Sequence, residues 1–99
     1  MTSLVGHLIN GKIVTDADKT QDVFNPSSGE VSKQVALANS AMVNEAIAAA
    51  EKAFVSWRNT PAIKRARVMF KFKDLLQQHS TKICDLIGQE HGKIAHDAA

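Results

Sequence analysis

Apolar and polar positions change their spacing once along this 99-residue chain, close to residue 40. Before that point the apolar residues come in short runs broken by turn-forming residues. Leu8-Ile9-Asn10-Gly11-Lys12-Ile13-Val14 predicts a tight hairpin, because Asn and Gly tolerate the positive φ of a type I′ turn and β-formers flank them. Thr15 to Thr20 is polar and is expected as a surface loop. Asp22-Val23-Phe24 begins a second extended stretch, with Asn25 biased away from helix by the proline that follows. Pro26 to Gly29 turns the chain, and Val31, Lys33, Val35 and Leu37 then share one face, expected to be the half-buried one.

Beyond Ser40, expected to act as the N-cap, the period becomes helical. Met42, Val43, Ala46, Ile47, Ala50, Ala53, Phe54 and Trp57 recur at three- and four-residue steps, with Phe54 and Trp57 expected to anchor the helix end. Asn59-Thr60-Pro61 breaks this helix, and Pro61 suits the first turn of the next. In that second helix Ile63, Ala66, Val68, Met69, Phe70, Phe72, Leu75 and Leu76 spread around more than half the circumference, so it needs cover on more than one side. A third helix presents Ile83, Leu86 and Ile87 inward with Cys84 at the edge, and Gly92 stops it. Ile94 to Ala99 has the composition of a further helix beginning, so the chain is expected to be a piece of a longer one. The predicted class is α/β: two N-terminal β-hairpins over residues 8–37, then three amphipathic helices over 41–58, 62–78 and 80–91.

Composition adds limits. With 44% apolar and 22% charged residues this is an ordinary folded composition, and a net charge of +2 does not by itself call for nucleic acid or an acidic membrane surface. No apolar run is long enough to cross a bilayer. The segment Met1 to Gly6 lacks the pattern of a secretory or transit leader. The single cysteine excludes an internal disulfide and fits a reducing compartment, so a cytoplasmic location is expected.

The candidate chemistry is sparse. Cys84 sits between Ile83 and Asp85, which supply neither a base nor a positive field, and a packing role is expected. His91 and His96 are five apart across Gly92, a spacing that makes two ligands diverge, so no metal site is assigned. Lys64, Arg65, Arg67, Lys71 and Lys73 form a basic cluster around Phe70 and Phe72. Helical geometry puts Lys64, Arg67 and Lys71 on the polar face, while Arg65 and Lys73 enter the apolar arc and are expected to pair with carboxylates of other elements or reach past the core to water. The glycines show no phosphate-cradling spacing.

Taken in order, these segments resemble the N-terminal portion of an aldehyde dehydrogenase. The matching features are Ile9-Asn10-Gly11, Asn25-Pro26-Ser27-Ser28-Gly29-Glu30, the run Ala48-Ala49-Ala50 through Phe54 and Trp57, and Gly92-Lys93. Val5 to Lys12, Arg65 to Lys73 and Glu90-His91-Gly92-Lys93 are similar to the CoA-acylating methylmalonate-semialdehyde dehydrogenase group. The resemblance implies an incomplete part of a Rossmann-like cofactor domain. It implies an enzyme that uses NAD and coenzyme A to convert methylmalonate or malonate semialdehyde to propionyl-CoA or acetyl-CoA, as in valine breakdown.

The same resemblance implies that the residues doing this work lie elsewhere. The family nucleophile occurs in a Gly-Gln-x-Cys context, which Ile83-Cys84-Asp85 does not match. The nicotinamide-binding turn, the residues gripping coenzyme A and an arginine for the substrate carboxylate are all expected beyond Ala99. No catalytic, cofactor-binding or metal residue is therefore assigned, and the chain alone is expected to be inactive and to bind neither cofactor. Its expected partner is the remainder of a dehydrogenase chain, homo-oligomeric at full length, with no nucleic acid and no membrane. The alternative is a non-catalytic interaction module that uses the basic helix 64–73.

Overall fold

The computed structural model describes residues 3–99. Five strands precede four helices: β1 Ser3–Val5, β2 His7–Ile9, β3 Lys12–Val14, β4 Lys19–Phe24, β5 Val31–Leu37, α1 Ser40–Arg58, α2 Ala62–Gln78, α3 Ser80–His91 and α4 Ala95–Ala98. β2 and β3 form the expected hairpin, with φ of 52° at Asn10 and 74° at Gly11. Those positive angles are what a two-residue turn needs to match strand twist.

The larger sheet has the order β1-β5-β4. Its β4–β5 hairpin closes through backbone bonds from Asn25 N to Glu30 O (2.9 Å) and Gly29 N to Asn25 O (2.8 Å). The Asn25 side chain stiffens the turn by accepting from Ser27 N at 2.9 Å. Two expectations change here. Lys19 and Thr20 belong to a strand, paired with Leu37 and Ala36. The half-buried face is only partly the expected one: Lys33 and Val35 are half-buried, but Val31 and Leu37 stay open, and Ala36 on the opposite face is 1% exposed. Residues 3–5 form an unanticipated parallel strand in register with Lys33–Val35.

The N-cap of α1 is Asn39, one residue before the expected Ser40; its Oδ1 accepts from Met42 N at 2.8 Å. Asn39 also donates through Nδ2 to Asp18 at 3.1 Å, tying the β3–β4 loop to the helix start. Asn39→Ala removes both contacts, and a loss of about 1 kcal/mol is expected. A urea titration followed by helix signal checks it, and an unchanged midpoint would contradict the cap. Pro61 likewise lies at the N-cap of α2, its carbonyl accepting from Lys64 N and Arg65 N. Gly92 ends α3 in the left-handed conformation at φ 72°, and an added Cβ there would stand 3.2 Å from Pro26 Cγ. The β4–β5 turn thus rests on the C-terminus of α3. Lys33, whose side chain is 15% exposed, donates to Glu90 at 3.0 Å and joins β5 to the same helix.

The whole is a slab of 48 × 37 × 18 Å with a radius of gyration of 17.1 Å. A compact chain of this length has a radius near 13 Å. Accessible area makes the same point: 8053 Å² is exposed, against about 5,500 Å² for a compact monomer of this mass. Ala36 and Met42 are the buried apolar residues among those described. Phe54 and Trp57, expected to anchor the end of α1, are both exposed, and Arg58 lies 5.9 Å from the Phe54 ring centre. No described helix is long and apolar enough to cross a membrane.

Candidate functional site

Cys84 is half-buried on α3 and faces a shallow cavity of about 330 Å³ shared with Asn25, Ser27, Asp85, Gly88, Gln89 and Lys93. The cavity exists because the β4–β5 turn leans on the end of α3. It brings Lys93 into the same cavity as the thiol, which the order of residues alone did not suggest. It contains no histidine, so the base that would complete a thiol–imidazole pair is not among its lining residues. No cluster of three or more His, Cys, Asp or Glu side chains suited to a metal ion occurs among the described residues.

Two apolar grooves are larger. One, of about 470 Å³, lies between the β2–β3 hairpin and α1, floored by Leu8, Ile9, Met42, Val43, Ala46 and Ile47. Its edge includes His7, whose Nε2 is buried without a hydrogen-bond partner among the described residues. The other, of about 480 Å³, runs along α2 and is lined by Val68, Phe72 and Leu75 with Arg67 and Lys71.

The basic cluster divides nearly as helical geometry requires. Arg67 and Lys71 share the edge of the α2 groove. Arg65 is half-buried and its Nε lacks a partner among the described residues, so the expected carboxylate is not found at that atom. Lys73 reaches water, one of its two expected outcomes: its side chain is 65% exposed, and the carboxylate beside it is Asp74 of the same helix at 3.9 Å. A separation that long between two exposed groups contributes little. The groove itself escaped the sequence reading, although the i, i+4, i+7 spacing of Val68, Phe72 and Leu75 is its signal.

The family model of the aldehyde dehydrogenases matches residues 13–99. The malonate-semialdehyde dehydrogenase of Pseudomonas aeruginosa is 52% identical over 93 residues, which is 94% of this chain and 19% of that one. The crystal structure of methylmalonate-semialdehyde dehydrogenase from Oceanimonas doudoroffii superposes with a TM-score of 0.94 at 61% identity, over 99% of this chain and 20% of that chain. A Sinorhizobium meliloti 1021 protein provisionally assigned the same activity, solved in complex with NAD, gives a TM-score of 0.94 at 37% identity, again over 99% of this chain and 20% of that chain. The chain spans about one-fifth of the length of the relatives it matches, and the match is to the N-terminal part of aldehyde dehydrogenase structures. Hairpin, turn and helix signals thus occur in the order and the three-dimensional arrangement of one family, and this chain belongs to the aldehyde dehydrogenase family.

Proposed function

We propose that this chain works as the N-terminal part of the cofactor domain of an NAD-dependent, CoA-acylating dehydrogenase of methylmalonate or malonate semialdehyde. The observation that carries this reading is the 61% identity at a TM-score of 0.94 to a methylmalonate-semialdehyde dehydrogenase. The 52% identity to a malonate-semialdehyde dehydrogenase agrees with it. The reaction oxidises the aldehyde carbon, expels the carboxylate as carbon dioxide and leaves an acyl group on coenzyme A. Enzyme of this kind works in the cytoplasm in our reading, as a homo-oligomer.

The residues described here do not fit as holders of NAD. The glycines with positive φ, Gly11, Gly29 and Gly92, serve a hairpin turn, a strand-to-strand turn and a helix stop. None opens a strand-to-helix phosphate cradle. The role of this segment is therefore scaffolding: the sheet, α1 and α2 form an outer layer against which catalytic parts are held.

Joining this chain to the remaining four-fifths of the Oceanimonas doudoroffii enzyme tests the reading. The chimera is expected to form NADH from methylmalonate semialdehyde in a CoA-dependent manner, while the 99-residue chain forms none. A chimera that assembles at the parent's oligomeric size yet forms no NADH would overturn the assignment.

A further inference from the structure

The α2 groove has a definite chemical character. Val68, Phe72 and Leu75 supply an apolar floor, and Arg67 and Lys71 stand at its edge. All five are exposed. On the other side of the helix Ile63, Met69 and Phe70 are exposed as well, Phe70 to 66%. A helix so open does not hold its place through its own contacts, yet its place is the one found in a complete dehydrogenase: the TM-score to the Oceanimonas structure is 0.94 over 99% of this chain. The uncovered area, roughly 2,500 Å² beyond that of a compact monomer, exceeds the total buried in a standard protein interface.

We infer that the Val68–Phe72–Leu75 groove is a docking surface for a segment of the remaining dehydrogenase chain. That segment is apolar at its centre and carries carboxylates that meet Arg67 and Lys71. This rests on the function proposed above and adds to it the place and the chemistry of the contact. The apolar floor supplies the attraction, and the two cations set the register, because a basic or uncharged partner leaves them facing like charge or nothing. The same helix of a second copy fits the groove less well, because α2 carries Lys64, Arg65, Arg67, Lys71 and Lys73 against Asp74 alone.

Thiol labelling reads the contact directly. Val68→Cys in a Cys84→Ser background, and Lys71→Cys as a second probe at the edge, are each made in the 99-residue chain and in the chimera. Labelling of either site, read by mass, is expected to be about a hundredfold slower in the chimera, as for a position that reacts only on local opening. Arg67→Glu with Lys71→Glu is expected to weaken capture of the 99-residue chain by the separately expressed four-fifths roughly a hundredfold, through like-charge contact. Equal labelling rates in a chimera of native oligomeric size would overturn the inference. So would protection seen only in a dimer of the 99-residue chain. A chimera that protects both sites but forms no NADH would sink the assigned reaction while leaving the docking surface in place, and the reverse result would do the opposite.

Discussion

Gly6→Ala is expected to cost about 2–3 kcal/mol, the upper range for forcing one extra carbon into a site with no room. A Cβ on Gly6 would stand 2.6 Å from the backbone carbonyl oxygen of Val14, 2.9 Å from Thr15 Cγ2 and 3.2 Å from Ile13 Cγ2. The first of these is main chain inside the β2–β3 hairpin, so it cannot swing aside as a long side chain would. The reason for glycine here is space and not backbone angle. Gly6 joins β1 to β2, the point at which the chain leaves the larger sheet and enters the hairpin. Relief of the clash requires one of the two to separate from the other. The urea midpoint of the chain, followed by circular dichroism, gives the size of the effect. A shift corresponding to less than about 0.5 kcal/mol would mean that the hairpin moves freely against the sheet.

The second large effect is expected at Ala36. At 1% exposure it is the most enclosed side chain described, and it sits in the central strand opposite Thr20. Ala36→Asp places a carboxylate there with no cation provided for it, at an expected cost of about 3–5 kcal/mol, comparable to stranding one partner of a buried ion pair. That is a large share of the total stability of a small domain, roughly 5–15 kcal/mol. Ala36→Ser, nearly the same size and neutral, is the control and should cost much less. If the two variants unfolded at similar urea concentrations, charge burial would not be the cause. A near-native midpoint for Ala36→Asp would show that the sheet opens at this point.

Which parts of this arrangement could be read from the sequence follows from how local each determinant is. The turn at Asn10-Gly11 and the helix stop at Gly92 depend on the φ preferences of one or two residues, and both appear where the sequence places them. The N-cap shifted by one because Asn39 and Ser40 are both capable of the role, and only geometry distinguishes them. Lys19 carries no strand signal and a single Thr20 only a weak one; they are strand because Leu37 and Ala36 lie beside them. The expected inward face of β5 holds only at Lys33 and Val35, for a similar reason. Val31, Val35 and Leu37 outweigh Ser32, Gln34 and Ala36 in apolar content, but the small Ala36 is on the side where the structure closes most tightly.

The same distinction holds for the candidate site. That Arg67 and Lys71 share a face of α2 follows from 3.6 residues per turn, and they do line one groove. What Arg65 and Lys73 meet depends on neighbouring elements: Lys73 reaches water, one of its two expected outcomes, while the buried Arg65 Nε has no partner among the described residues. The breadth of the apolar arc on α2 was legible, because it is a count of residues around a helix. Its consequence, a helix exposed on both sides, follows from the same count in a chain this short, and the slab-like arrangement bears it out.

The strand order β1-β5-β4 also sets a sequence of events in time. Both neighbours of the central strand precede it in the chain, one by a parallel pairing across some thirty residues and the other by a short turn. On the ribosome, where the N-terminal part of a chain emerges first, this sheet has all its strands as soon as residue 37 is free, before any of the helices has fully emerged. A polypeptide of this design carries its own early template, and the helices, with whatever is synthesised after them, arrive at a sheet whose pairing is already decided.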